Sequence, residues 1–215
     1  MFQTIVKIFL LVIITAAITP FIRKLAFVLG AVDNPNARRI NKKPMPTIGG
    51  LAIFVAFNIG EFVLLRKDFP THELFSVLLA SSVIILTGLI DDMLELKPRQ
   101  KMFGIFIASL VVYFLAGIKV RELSLPLLGH LQLGWWSFPL TIFWILALTN
   151  AVNLIDGLDG LATGVTLISL VTMGIVGFFF LKSWQHYVPI MCIMLAACLL
   201  GFLPYNFHPA KIFLG

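Results

Sequence analysis

Charge is scarce in this chain. Asp, Glu, Lys and Arg make up 12% of its 215 residues, against 60% hydrophobic residues, where a soluble domain carries roughly 25% charge. With a mean hydropathy of +1.01, that scarcity excludes a water-dispersed domain and places the chain in the membrane class. Cysteine is nearly absent: Cys192 and Cys198 share one apolar segment. At that spacing on a helix they point in different directions, so neither a disulfide nor a metal pair is expected. No long basic run interleaves with aromatics, so the net charge of +6 does not signal nucleic acid. In a membrane protein, excess Lys and Arg set orientation and meet anionic lipid or phosphate. No soluble domain, low-complexity linker or internal repeat interrupts residues 1–215, which read as a single integral membrane domain.

Seven apolar segments supply the rest, approximately 2–21, 49–65, 74–90, 102–117, 135–152, 161–181 and 188–205. A spanning helix needs about 20 such residues, so each spans or nearly spans, and the expected fold is an all-α polytopic bundle of about seven helices. The first segment has the early Lys7 of a signal peptide, but Arg23 and Lys24 follow it closely. That flank makes it a retained transmembrane helix. Basic residues are densest after the first segment (Arg23, Lys24, Arg38, Arg39, Lys42, Lys43) and after the third (Lys97, Arg99, Lys101). The positive-inside rule then places the N-terminus outside and those loops in the cytoplasm. Partial alternation of apolar and polar residues over Lys119–Leu133, around Gly129, predicts a small outer β-hairpin.

This orientation gathers Asp33, Asp91, Asp92, Glu95, Asp156 and Asp159 at the cytoplasmic ends of segments. Adjacent carboxylates such as Asp91 and Asp92 repel unless a cation or proton separates them, and Mg²⁺ favours carboxylates plus substrate phosphates. Lys97, Arg99 and Lys101 are the alternative neutralising groups. Between the fifth and sixth segments, TNAVNLIDGLDGLATG packs Asn150, Asn153, Asp156 and Asp159 among glycines. Polar groups at membrane depth must pair or line a wet cavity, glycines let a ligand approach the backbone, and the helix that follows offers a positive N-terminus to an anion. The first basic loop, constrained by prolines, runs through Lys42 and Thr47 into Gly49-Gly50, and its cations could hold a diphosphate at the membrane surface. The last segment closes on GFLPYNFHPAKIFLG, bringing Asn206, His208, Lys211 and Phe213 to the same face. Acids, amides, lysines and glycines beside lipid are what phosphoryl transfer between a nucleotide donor and a lipid phosphate requires, because both reactants are anions. A transporter would instead put charges near mid-membrane and broken helices in repeated halves, and neither pattern is present.

GLIDDMLELKPRQKM, TNAVNLIDGLDGLATG and GFLPYNFHPAKIFLG resemble the polyprenyl-phosphate N-acetylhexosamine-1-phosphate transferases. Ile155 and YNFHPAKIF are closer to the undecaprenyl-phosphate N-acetylglucosamine-1-phosphate transferase branch than to the phospho-N-acetylmuramoyl-pentapeptide transferases, the alternative branch. The resemblance implies transfer of N-acetylglucosamine-1-phosphate from UDP-N-acetylglucosamine to undecaprenyl phosphate, with release of UMP, at the cytoplasmic face of a bacterial membrane. It implies a Mg²⁺ cofactor with Mn²⁺ as a substitute, and a second copy of the chain as a candidate partner. It also implies catalytic roles for Asp91, Asp92, Asp156 and Asp159, with Asp91 engaging the lipid phosphate. Asn153 lies near the metal; Lys42, Thr47, Asn206 and Phe213 fall on the substrate side, Phe213 stacking on uracil. Asn41 stands where such proteins often carry His. They also continue past the position of Gly215 with an Asp that ligates the metal and a His-bearing loop, so the chain reads as the N-terminal part of such an enzyme. The expectation is that these 215 residues alone do not turn over; Mg²⁺-dependent UMP release by them would overturn it.

Overall fold

The computed structural model describes residues 2–33, 44–64, 66, 71–94, 96–125, 129–181 and 187–215. Among the described residues seven α-helices stand at the seven apolar segments: α1 (Phe2–Leu29), α2 (Gly49–Ile59), α3 (Thr71–Leu94), α4 (Pro98–Phe114), α5 (Ser137–Ile155), α6 (Leu161–Phe180) and α7 (Tyr187–Asn206). Five of them, α1, α3, α5, α6 and α7, are long and apolar enough to cross a membrane; α2 with its continuation to Leu64 is shorter. At 17 residues, with Arg99 and Lys101 in its first turn, α4 also falls short. The chain is a multi-pass helical membrane protein. The expected hairpin is present as β3 (Glu122–Leu125) antiparallel to β4 (Gly129–Gln132), pairing Glu122 with Gln132 and Leu125 with Gly129. A second ribbon, β1 (Val32–Asp33) against β2 (Met45–Pro46), had no counterpart in the sequence reading; it closes the base of the basic loop.

The core lies where α1, α2 and α7 meet. Ala52 and Ala56 are fully buried there and Gly60 follows at the same four-residue spacing, a stripe of small residues that lets backbones approach where no hydrophobic effect drives association. Leu11, Met194, Cys198 and Phe202 fill the spaces beside it. On α7, Gly201 lies against the Val12 carbonyl and the Thr15 side chain, so that a β-carbon there would collide with the α1 backbone. In α1 the Thr15 and Thr19 hydroxyls donate to the carbonyls of Leu11 and Thr15 at 2.8 and 2.7 Å, which satisfies them without water. Large apolar side chains such as Phe9, Ile168, Phe179 and Phe180 point outward, as lipid allows.

The remaining helices extend this core as antiparallel neighbours. Thr87 meets Gly104 between α3 and α4, Asn150 reaches Met102 between α5 and α4, and Gly174 packs on Ile193 between α6 and α7. The C-terminal ends of α1, α3, α5 and α7 therefore share one end of the bundle with the starts of α2, α4 and α6. Beyond α7, residues 211–215 run back along 46–50: the Phe213 N–H donates to the Pro46 carbonyl at 2.8 Å, and the Gly49 and Gly50 N–H groups donate to the carbonyls of Phe213 and Leu214 at 2.9 and 2.7 Å. Ile48, at the helix entrance, offers no side-chain cap, so these carbonyls satisfy N–H groups that the first turn would leave orphaned.

The packing makes glycine sites separable. Gly201→Ala drives a methyl into the α1 backbone and should cost about 1–3 kcal/mol. Gly164, with open space around its β-position, should tolerate Ala and gain about 0.5–1 kcal/mol. Thermal unfolding in detergent should therefore lower the midpoint of the first variant and raise that of the second; equal midpoints would show that α1 and α7 do not pack as described.

Candidate active site

Pro98 opens α4 directly after the loop from α3, and the Gln100 side chain accepts the Lys97 N–H at 2.9 Å. The turn this fixes carries Lys101 back beside the end of α3. Its ammonium bonds Asp91 Oδ2 at 2.8 Å, while Asp91 Oδ1 accepts the Leu96 N–H at 3.0 Å. Both oxygens of Asp91 are thus occupied inside the α3–α4 turn. The next residue, Asp92, points elsewhere, toward Thr47 and the tail, residues 211–215 beyond α7; a β-carbon on Gly215 would stand 2.7 Å from Asp92 Oδ2. Thr47 is anchored by donating its hydroxyl to the Ala31 carbonyl at 3.1 Å.

Asp156 follows α5 directly. Burial pushes its carboxyl up from an ordinary 3.8 to about 6, against the pull of Lys101. Lys101 acts on Asp91, Asp92 and Asp156 together. A single ammonium among three carboxylates leaves the cluster acidic when all are ionised. Hard oxygen donors in that balance suit a divalent cation, and the Asn153 amide stands in the last turn before Asp156. Among the described residues no three His, Cys, Asp or Glu side chains form a complete cage. A Mg²⁺ ion held by one or two carboxylates draws its other ligands from water and substrate phosphate.

A cavity of about 430 Å³ opens beside the cluster, between α3, α4, α5 and the tail. Asp156, Asn153, Lys101, Gly88 and Thr87 line it near the helix ends, and Thr149, Leu148, Ile105 and Ile84 line it further along the helices. At 1.5 Å per residue, Asp156 and Leu148 are about 12 Å apart along α5. The cavity is polar at the helix ends and apolar along its length.

The other expected residues stand apart from it. Asp159 turns to the end of α7, where its Oδ2 accepts from His208 Nδ1 and from the Ala210 N–H, both at 3.0 Å. Asn206 is 2% exposed; it accepts from the Thr163 hydroxyl at 2.7 Å and donates to the Ile212 carbonyl at 3.1 Å. These bonds hold the tail in place. Phe213 is half-buried, and it is the neighbouring Leu214 and Gly215 that reach the cavity. The Gly49 and Gly50 N–H groups are taken by the tail carbonyls. Lys42 and the neighbouring Arg38, Arg39 and Lys43, as well as Glu95, lie outside the described residues. Lys101 was visible in the sequence only as one of three basic residues. What singles it out is Pro98, which starts the helix that returns it to Asp91.

A carboxyl whose value rises on folding holds its proton more tightly in the folded chain. Its contribution to stability is intact below the unfolded value and is lost as pH rises through the folded one. For Asp156 that window runs from 3.8 to about 6. In detergent, Asp156→Asn should therefore melt with the wild type near the lower bound, gain on it through the window and keep a constant advantage above it. A difference that does not change with pH would remove the burial argument.

The family model described as "Glycosyl transferase family 4" matches residues 74–215. Over 199 residues the chain is 39% identical to the probable undecaprenyl-phosphate N-acetylglucosaminyl 1-phosphate transferase of Bacillus subtilis, covering 92% of this chain and 54% of that protein. It is 34% identical over 206 residues to the phospho-N-acetylmuramoyl-pentapeptide-transferase of Clostridium botulinum (91% and 62% covered). It is also 34% identical over 219 residues to the decaprenyl-phosphate N-acetylglucosaminephosphotransferase of Mycolicibacterium smegmatis (94% and 53% covered). The chain spans about half to two thirds of the length of these relatives.

Proposed function

Because the chain belongs to glycosyl transferase family 4, we propose that its protein transfers N-acetylglucosamine-1-phosphate from UDP-N-acetylglucosamine to undecaprenyl phosphate at the cytoplasmic face of a bacterial membrane. The product is a lipid diphosphate sugar, the starting unit of a teichoic acid or another surface polysaccharide. The observation that carries the proposal is the cavity itself: Asp156, Asn153 and Lys101 at its polar end and an apolar slot along Leu148, Ile105 and Ile84. A lipid phosphate has that same polarity, a charged head on a hydrocarbon tail. The greater identity to the N-acetylglucosaminyl transferase than to the pentapeptide transferase supports the donor assignment. The pentapeptide donor is the second reading, supported by several relatives of that name at 32–34% identity.

In this reaction a lipid phosphate oxygen bonds to the sugar-bearing phosphorus of the donor. The bond from that phosphorus to the bridging oxygen breaks, and UMP leaves with the bridging oxygen. Asp92, Asp156 and Asn153 would hold a Mg²⁺ or Mn²⁺ ion, which when bound supplies charge neutralisation between the two anions. Lys101 draws the acceptor head toward this end. The sequence reading gave Asp91 direct contact with the lipid phosphate; with both its oxygens engaged, we assign it to positioning Lys101. On the donor side the assignment rests on Lys42, Thr47 and Phe213.

The test uses membranes carrying the full gene product, undecaprenyl phosphate and each radiolabelled donor in turn. Label from UDP-N-acetylglucosamine should enter the lipid fraction with matching UMP release, and chelation should abolish it. Label from UDP-muramoyl-pentapeptide instead would establish the second reading, and neither would overturn both. Asp92→Asn and Asp156→Asn should each lower turnover by about 100-fold, the scale of losing one charge-stabilising group. Leu148→Trp, which fills the apolar slot, should raise the KM for the lipid and leave that for the donor unchanged.

A further inference from the structure

Glu61 has 0% exposure in the seam of α1, α2 and α7, and neither of its carboxyl oxygens has a hydrogen-bond partner among the described residues. One turn earlier, Asn58 donates its amide to the Phe54 carbonyl at 2.8 Å, while its buried Oδ1 is likewise without a partner. Residues three apart on a helix are neighbours, so three acceptor oxygens share this region. From α1 the seam contributes Leu11 and Thr15, whose hydroxyl is committed to the Leu11 carbonyl. From α7 it contributes Met194 and Cys198, the titratable group that faces Glu61. The start of α3, which packs against α2, adds the buried Leu74 and Ser76, while His72 there is exposed; none of the enclosed side chains is a cation.

A carboxylate without a counter-ion in such surroundings is far too costly to persist. A carboxylic acid is not, because one proton turns an acceptor-only group into a donor and acceptor. A metal ion would need a fuller oxygen shell than these three atoms provide. The backbone marks the same place: α2 passes into a π turn at Gly60–Leu64, a feature concentrated at functional positions, as are acids within membrane segments. We propose that Glu61 is an intramembrane proton-binding site, a carboxyl group enclosed as the protonated acid, with the Asn58 amide oxygen as the nearby acceptor. The site is separate from the acidic cluster at the end of the bundle and does not depend on the transferase reading.

Infrared spectroscopy of the full gene product in lipid nanodiscs, labelled with ¹³C-glutamate, excludes every aspartate. The chain contributes Glu61, Glu73, Glu95 and Glu122, and Glu61→Gln assigns the signal. A protonated-acid carbonyl band at about pH 6, above the ordinary glutamate range, should appear in the wild type and be lost in the variant. Absence of the band, its survival in Glu61→Gln, or its loss when NaCl is added at constant pH would overturn the proposal. Should the variant fail to fold, chemical modification of the wild type decides. Dicyclohexylcarbodiimide, which attacks the protonated acid, should give a mass-mapped adduct at Glu61 at the same pH, and no adduct there would overturn it.

Discussion

The candidate site depends on one ammonium group. Lys101 stands among Asp91, Asp92 and Asp156 where each helix loses its own hydrogen bonds and where burial makes uncompensated charge expensive. Its bond to Asp91 also closes the α3–α4 turn, so one contact fixes both the geometry and the charge of the cluster. The two adjacent aspartates are divided by it. Asp91 is spent on the turn, while Asp92, rotated about 100° further round the helix, faces the tail and Thr47. Because Lys101 offsets only part of the acidity, the cluster stays suited to a further cation.

The cluster is held in place by packing some distance away. The small-residue stripe on α2 seats that helix against α1 and α7, and the Thr163–Asn206–Ile212 hydrogen bonds carry the end of α7 into the tail. The tail then caps α2. Asn206 and the Gly49-Gly50 pair therefore act as supports here, each hydrogen-bonded within the chain.

The helices were legible because lipid imposes one rule on every spanning segment, satisfaction of backbone polarity within the segment itself, and that rule writes itself as apolar length. The hairpin was legible from alternation around Gly129. The grouping of Asp91, Asp92, Asn153 and Asp156 was legible from their common place at helix ends. Which acid faces which partner was not, since Asp156 and Asp159 are separated only by Gly157 and Leu158, in a turn that ends at Gly160 with φ 72°, and nothing in their spacing says that one joins Lys101 and the other His208. The tail contact with residues 46–50 joins segments far apart in sequence and leaves no local pattern. Glu61 carried no signal beyond being an acid near a segment end; only the packing of α1 and α7 shows it to be enclosed.

The clasp between the tail and the start of α2 also sets an order of events during synthesis. Helices emerge and enter the bilayer from the N-terminus onward, so α2 is inserted while the carbonyls that will cap it are still untranslated. Until α7 arrives, Gly49 and Gly50 have no tail carbonyls to bond. The rim between Thr47 and Gly215 is thus among the last parts of the described chain to assemble, which keeps the acidic cluster open to solvent until the rest of the bundle has closed around α1.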